Sequence, residues 1–150
     1  ELHNANKSFV IFENNSQTSS IVAGGVYNPV ILKRFNAAWN GHEQIKIALP
    51  FYKVLEDKLG VKLDHKFSIK KAFTSVGDGN NWFSALDKPT LLHYMNPKIS
   101  KEKIEGVIGD FGFGELTGTG RIDTALLVKS YRNYIKNSNR LIEKSFEYDQ

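Results

Sequence analysis

The sequence predicts an α+β fold. Three observations carry that expectation: a helix-period apolar pattern from Trp39 to Leu59, an alternating stretch "LDHKFSIKKAF", and a glycine-broken apolar run in "KISKEKIEGVIGDFGFGELTGTGRID". The first is helical in period. The second alternates as a half-exposed strand does, and the third suits curved antiparallel strands with bulges better than a helix.

In chain order, "ELHNAN" reads as the end of a helix, with Asn6-Lys7 as its turn. "SFVIFE", Ser8 to Glu13, is a short strand, because Val10, Ile11 and Phe12 are contiguous β-formers. In the next helical segment Ile45, Ala48, Leu49, Tyr52, Leu55 and Leu59 recur at three- and four-residue steps. Pro50 inside it predicts a kink or two abutting helices, and Gly60 a stop. Phe67, Ile69 and Lys71 then face one way, with Lys66, Ser68 and Lys70 opposite. "SVGDGNNWFSAL" opens as a glycine-rich turn that runs into a short helix near Trp82, and "TLLHYM" is a further strand candidate. One antiparallel sheet is expected from segments within 63–73, 90–96 and 104–121, with the helix at 42–59 outside it. Asp123 is a helix N-cap for "TALLVKSYRNYIKN", and strand character returns near Ile142. Trp39, Trp82 and Phe83 are expected in the core.

The 150 residues suffice for one domain with a real core, and 41% are hydrophobic, as in ordinary globular chains. The absence of Cys excludes a disulfide framework, a thiol nucleophile and a cysteine zinc site. It also agrees with a reducing, cytoplasmic compartment. No apolar run approaches the roughly 20 residues that span a bilayer, and no signal-peptide pattern is present. The net charge of +4 is spread among interleaved acids, so nucleic acid is not an expected partner. His3, His42, His65 and His93 lack ligand-type spacing, and no metal site is expected.

The stretch "SQTSSIVAGGVYNP" follows a strand that ends in an acid. A dinucleotide fold uses that arrangement: the Glu13 carboxylate can accept hydrogen bonds from the two ribose hydroxyls. Thr18, Ser19 and Ser20 can donate to phosphate oxygens, and Ala23, Gly24 and Gly25 can let backbone run against a flat ring. The same stretch is also compatible with a surface loop whose glycines supply unusual backbone angles.

"FVIFENNSQTSSIVAGGVYNP" resembles the second strand and following loop of the FAD-dependent D-amino acid oxidase and glycine oxidase superfamily. There, an acid closes the strand, then come Ser/Thr residues, a small Ala-Gly stretch, an aromatic residue and a proline. "GTGRIDTALLVKSYRNYIKN" is similar to the family's Gly-x-x-Asp-Thr-x-x-Leu segment, where the chain leaves the substrate domain for a helix of the FAD domain. The similarity is distinct in these two blocks and faint from about 60 to 117.

The resemblance implies an antiparallel substrate-domain sheet with a helical arm, plus partial pieces of a Rossmann-like FAD-binding domain. Residues 1–38 would be the second strand and flavin loop, 39–121 the substrate-binding portion, and 122–150 a helix and strand returning to the FAD domain. Glu13 would bind the adenosine ribose, and Ser19 and Ser20 would lie near the pyrophosphate. Ala23, Gly24, Gly25 and Val26 would line the flavin, with Tyr27 and Asn28 near the ring edge or substrate pocket. The partner would be a small amine or amino acid, oxidised by hydride transfer to flavin. Its carboxylate would need an arginine fork, and Arg34 and Arg121 are the arginines nearest the two blocks. The resemblance identifies no catalytic residue. A different class of reading remains open, a non-catalytic α+β domain that binds a protein or ligand.

The family's opening Gly-x-Gly-x-x-Gly turn is missing from these residues. The chain therefore reads as an internal piece of a longer oxidoreductase, inactive alone. The 150 residues by themselves are expected not to retain FAD, because the helix N-terminus that receives the pyrophosphate is lacking. Mixing with FAD followed by desalting tests this, and near-stoichiometric protein-bound flavin absorbance would contradict it.

Overall fold

The structure, a computed structural model, describes residues 1–148. It is α+β with antiparallel sheets, as the sequence predicts. The elements in order are β1 (Ile11–Phe12), α1 (Ser19–Val22), β2 (Val26–Tyr27), β3 (Val30–Ile31), β4 (Asn36–Ala37) and α2 (Gly41–Leu59). Then come β5 (Asp64–Lys66), β6 (Ile69–Ala72), α3 (Val76–Leu86) and α4 (Pro89–Leu92). The chain continues through β7 (Phe113–Leu116), β8 (Gly120–Ile122), α5 (Thr124–Asn137) and β9 (Leu141–Ile142).

The single expected sheet is in fact two. β8 lies between β2 and β5, antiparallel to both, while β6 and β7 pair separately. The stretch 63–73 is thus divided between sheets at Phe67-Ser68. β3 and β4 form a small antiparallel hairpin, and β1 pairs with β9 in parallel. The expected strand at 90–96 is corrected: Pro89 starts α4, where its fixed φ suits a first helical turn, and only Met95 bridges to Leu116. Residues 104–112 carry no strand, and regular pairing begins at Phe113.

The core forms where β6, β7 and the β3–β4 hairpin meet α3 and α4. Trp82 is its centre, fully buried, with Phe35 and Phe73 edge-on at 5.7 Å each and its indole N–H donating to the Asn96 carbonyl at 3.0 Å. Glycine at position 114 is required here, since a Cβ would lie 2.7 Å from the Trp82 ring. The expected glycine-rich turn before Trp82 is instead helical from Val76. Ser75 caps it by accepting from the Asp78 amide at 3.2 Å, and Asp78 accepts from the Thr74 amide and hydroxyl. These Thr74 bonds hold the Asp78 carboxyl below its ordinary range. Trp39 and Phe83 are not core residues: both are exposed, Trp39 to 86%. Trp39 precedes the α2 N-cap Asn40, and Phe83 follows Trp82 on the outer face of α3.

α2 runs as one helix through Pro50, which forgoes only the bond its missing N–H would have made to Lys46. It ends at Gly60, as expected, and the connection to β5 is tied down by Glu56. That buried carboxylate accepts from the Leu63 amide at 2.6 Å and the Asp64 amide at 2.8 Å, with Lys62 at 3.3 Å. The Asp64 and then the Leu63 backbone bonds hold its pKa down to about 2.

Because the folded carboxyl titrates below its ordinary value of 4.5, its stabilisation is complete above pH 4.5 and is lost as pH falls toward 2. Glu56→Ala strands two amide donors. It is expected to cost about 2 kcal/mol at neutral pH, a melting temperature lower by about 4–8 °C. The deficit should shrink on acidification through that window. Thermal melts of both proteins from neutral to acid pH check this, and a pH-independent deficit would contradict the clasp.

Candidate functional site

The loop and strand at 23–27 and the strand and helix start at 120–124, far apart in sequence, meet in space. Val26 pairs with Arg121 and Tyr27 with Gly120 across the β2–β8 ladder. The Ile122 amide donates to the Gly25 carbonyl at 3.0 Å, and the Thr124 hydroxyl donates to the Ala23 carbonyl at 3.1 Å, across 101 residues of sequence. Asp123 sits between these contacts, capping α5 by accepting from the Leu126 amide at 3.0 Å. α1 packs against α5 in the same region.

The glycine pair divides its labour. Gly25 has φ +66°, and a Cβ there would run into the Ile122 carbonyl oxygen. Gly24 faces open space, with nothing within 4 Å of an added Cβ. Gly25 therefore serves the fold itself, since its left-handed backbone makes the close approach to β8. Around Gly24 the surface is apolar and exposed, at Ile21, Val22 and Val26.

Ser19 and Ser20 begin the single turn of α1, exposed, and Ala23 ends it. Tyr27 is half-buried, and its hydroxyl donates to Asp64 at 2.8 Å. Burial first, then the Asp64 bond, pushes its pKa well above the ordinary tyrosine value. Asn28 shapes the chain: its side-chain oxygen accepts from the Val30 amide at 2.9 Å, an Asx turn leading into β3.

Arg121, in the centre of β8, is flanked in register by Val26 and His65. Residues opposite one another in a ladder share a face, so these three side chains project together. All three are exposed, and Arg121 is tied to Asp123 at 3.3 Å. Arg34 belongs elsewhere, in the β3–β4 turn against α3, so the two candidate arginines do not share a sheet.

Glu13 sits one residue beyond β1, as the sequence reading requires, but its carboxylate is already engaged. One oxygen accepts from the Asn15 amide, and the other meets the Arg132 guanidinium of α5, which also reaches Glu143 at 3.2 Å. Beside this pair, Ile11, Leu55, Leu127, Tyr131 and Leu141 line a largely apolar groove of about 550 Å³. Sequence reasoning missed Arg132, Asp64 and Thr124 as partners of the site. Thr124 lay in the Asp-Thr motif and Arg132 further along the same stretch, but nothing local marked Arg132 or Asp64 as a partner. Among the described residues no helix is long and apolar enough to cross a membrane, and no His/Asp/Glu group could hold a metal ion.

The glycines generate a paired prediction. Gly25→Ala is expected to cost at least about 2 kcal/mol and lower the melting temperature by about 5 °C or more. Gly24→Ala should leave it within about 2 °C. Thermal denaturation of both variants decides, and equal effects would contradict the division. No protein-family model matches this chain, and no solved structure matches it.

Proposed function

We propose that the chain belongs to an FAD-dependent oxidoreductase of the D-amino acid oxidase and glycine oxidase type, acting on an amine or amino acid. The observation that carries this reading is the Ala23–Tyr27 and Gly120–Thr124 junction. One segment resembles the family's second strand and flavin loop and the other its return from the substrate domain into the FAD domain, and the two, though far apart in sequence, lie hydrogen-bonded together. The parallel β1–β9 pair, with α5 leading into β9, supports a Rossmann-like origin for these pieces, since parallel neighbours require a crossover connection. Glu13 at the carboxyl end of β1 is where such sheets bind nucleotides.

The residues present fit the cofactor. Gly24 offers open backbone, and its exposed apolar neighbours Val22 and Val26 would gain by being covered. Ser19 and Ser20, exposed in the turn of α1 just before Gly24, carry hydroxyl donors. Glu13 would accept the ribose hydroxyls only by sharing its carboxylate with Arg132. When bound, the flavin supplies the hydride acceptor. The protein's own part is orientation: Arg121, exposed beside Val26, is suited to fork a substrate carboxylate, with Asp123 steadying the guanidinium. The Tyr27–Asp64 bond fixes β2 against β5 across β8.

The test uses protein expressed from the complete gene. It is expected to purify with bound flavin that bleaches when an amine or amino-acid substrate is added without oxygen. Gly24→Val should lose most of that flavin while the apo-protein melts within a few degrees of wild type. Absence of flavin from the complete protein, or normal loading of Gly24→Val, would overturn the reading.

A further inference from the structure

A second site emerges on the opposite class of surface, polar and cationic. The β3–β4 turn carries Lys33 and Arg34, and the α3–α4 connection carries Lys88. With Asn81 and Ser84 of α3, these side chains line a cleft of about 470 Å³ floored by Phe35 and Ala85, both buried. We propose that this cleft binds a phosphate-monoester dianion, gripped by Lys33, Arg34 and Lys88.

The turn is built to present its cations. Phe35 adopts φ +45°, a conformation that a bulky aromatic residue takes only when its surroundings enforce it. Its ring is buried 5.7 Å from Trp82, and its carbonyl accepts from Lys88 Nζ at 3.1 Å. The same ammonium donates to the Asn36 side-chain oxygen at 2.8 Å. These bonds lock the turn with its two preceding side chains on the α3 side. Lys88 has three donors, so one remains for a ligand.

The charges favour a dianion. Three cations line the cleft against one acid, Asp78, whose Oδ2 accepts from the Thr74 amide at 2.8 Å and hydroxyl at 2.7 Å, so the lining carries an excess of about two positive charges. Among the described residues neither Lys33 nor Arg34 has an acidic partner. A phosphate monoester carries nearly two charges at neutral pH and three acceptor oxygens, matching the cleft's excess and its guanidinium fork. None of the cleft's residues contributes to the Ala23–Tyr27 junction, so the proposal stands apart from the flavin reading.

The experiment titrates isotope-labelled chain with phenyl phosphate near pH 7.5 at constant ionic strength, following amide shifts, with benzoate as the monoanion of like shape. Saturable shifts confined to 33–36 and 78–88, with benzoate about tenfold weaker or more, are expected. The double variant Lys33→Gln/Arg34→Gln alters two exposed side chains and should keep the wild-type melting temperature. It should weaken phenyl phosphate about tenfold or more. Non-saturating shifts, equal binding of benzoate, or an unweakened variant would overturn the proposal.

Discussion

The left-handed turn at Gly25 is the constraint on which the architecture hangs. Only without a Cβ can the backbone come up against the Ile122 carbonyl while its own carbonyl takes the Ile122 amide at 3.0 Å. That approach starts β2 on β8. β8 then serves as the shared strand for β5, and Asp123, one residue beyond it, launches α5. α5 in turn delivers β9 to its parallel place beside β1. An N-terminal loop and a C-terminal helix are thereby held at one place. Gly24, the next residue back, has no such duty and leaves its space open. One glycine for approach and one for vacancy is what a backbone needs if it must grip a scaffold on one side and offer a flat surface on the other.

Much of this was legible in the residues. The α2 pattern, its Gly60 stop and the Asp123 cap follow from local chemistry, and the structure holds all three. Alternation marked β6, and contiguous β-formers marked β1, although only Ile11–Phe12 pair regularly. What failed was non-local. "TLLHYM" has strand composition, yet Pro89 and the tight packing of Leu91 and Tyr94 under β7 make it a helical turn. Gly77 and Gly79 disguised α3 as a loop, because the Ser75 and Asp78 bonds that nucleate it are visible only in three dimensions. Trp39 and Phe83 show that a large apolar side chain does not by itself earn a core position.

The candidate site was legible in the same uneven way. The Glu13 and Gly24–Gly25 signals lay in one short stretch, and the structure gives each glycine a distinct physical role. The partner groups did not. Arg132 meets Glu13 from far along the chain, and Asp64 receives the Tyr27 hydroxyl at 2.8 Å from a strand whose sequence advertises nothing but alternation. Arg34 and Arg121 looked equivalent as arginines near motifs. They differ because one sits in a hairpin turn against α3 and the other in the central strand of the three-stranded sheet.

The meeting of the two blocks is best tested by a crosslink, which the absence of native cysteine makes clean. Gly25 and Ile122 form the hydrogen-bonded pair, so Val26 and Arg121 are the adjacent non-hydrogen-bonded pair, where Cα atoms lie about 4.5 Å apart. That separation is within roughly 4.4–6.8 Å, the range a disulfide spans without backbone movement. Val26→Cys/Arg121→Cys should oxidise nearly completely in the folded monomer and raise the melting temperature by about 10 °C, as expected for a long closed loop. Failure to crosslink under native conditions, or crosslinking only after unfolding, would mean that residues 23–27 and 120–124 do not form the junction.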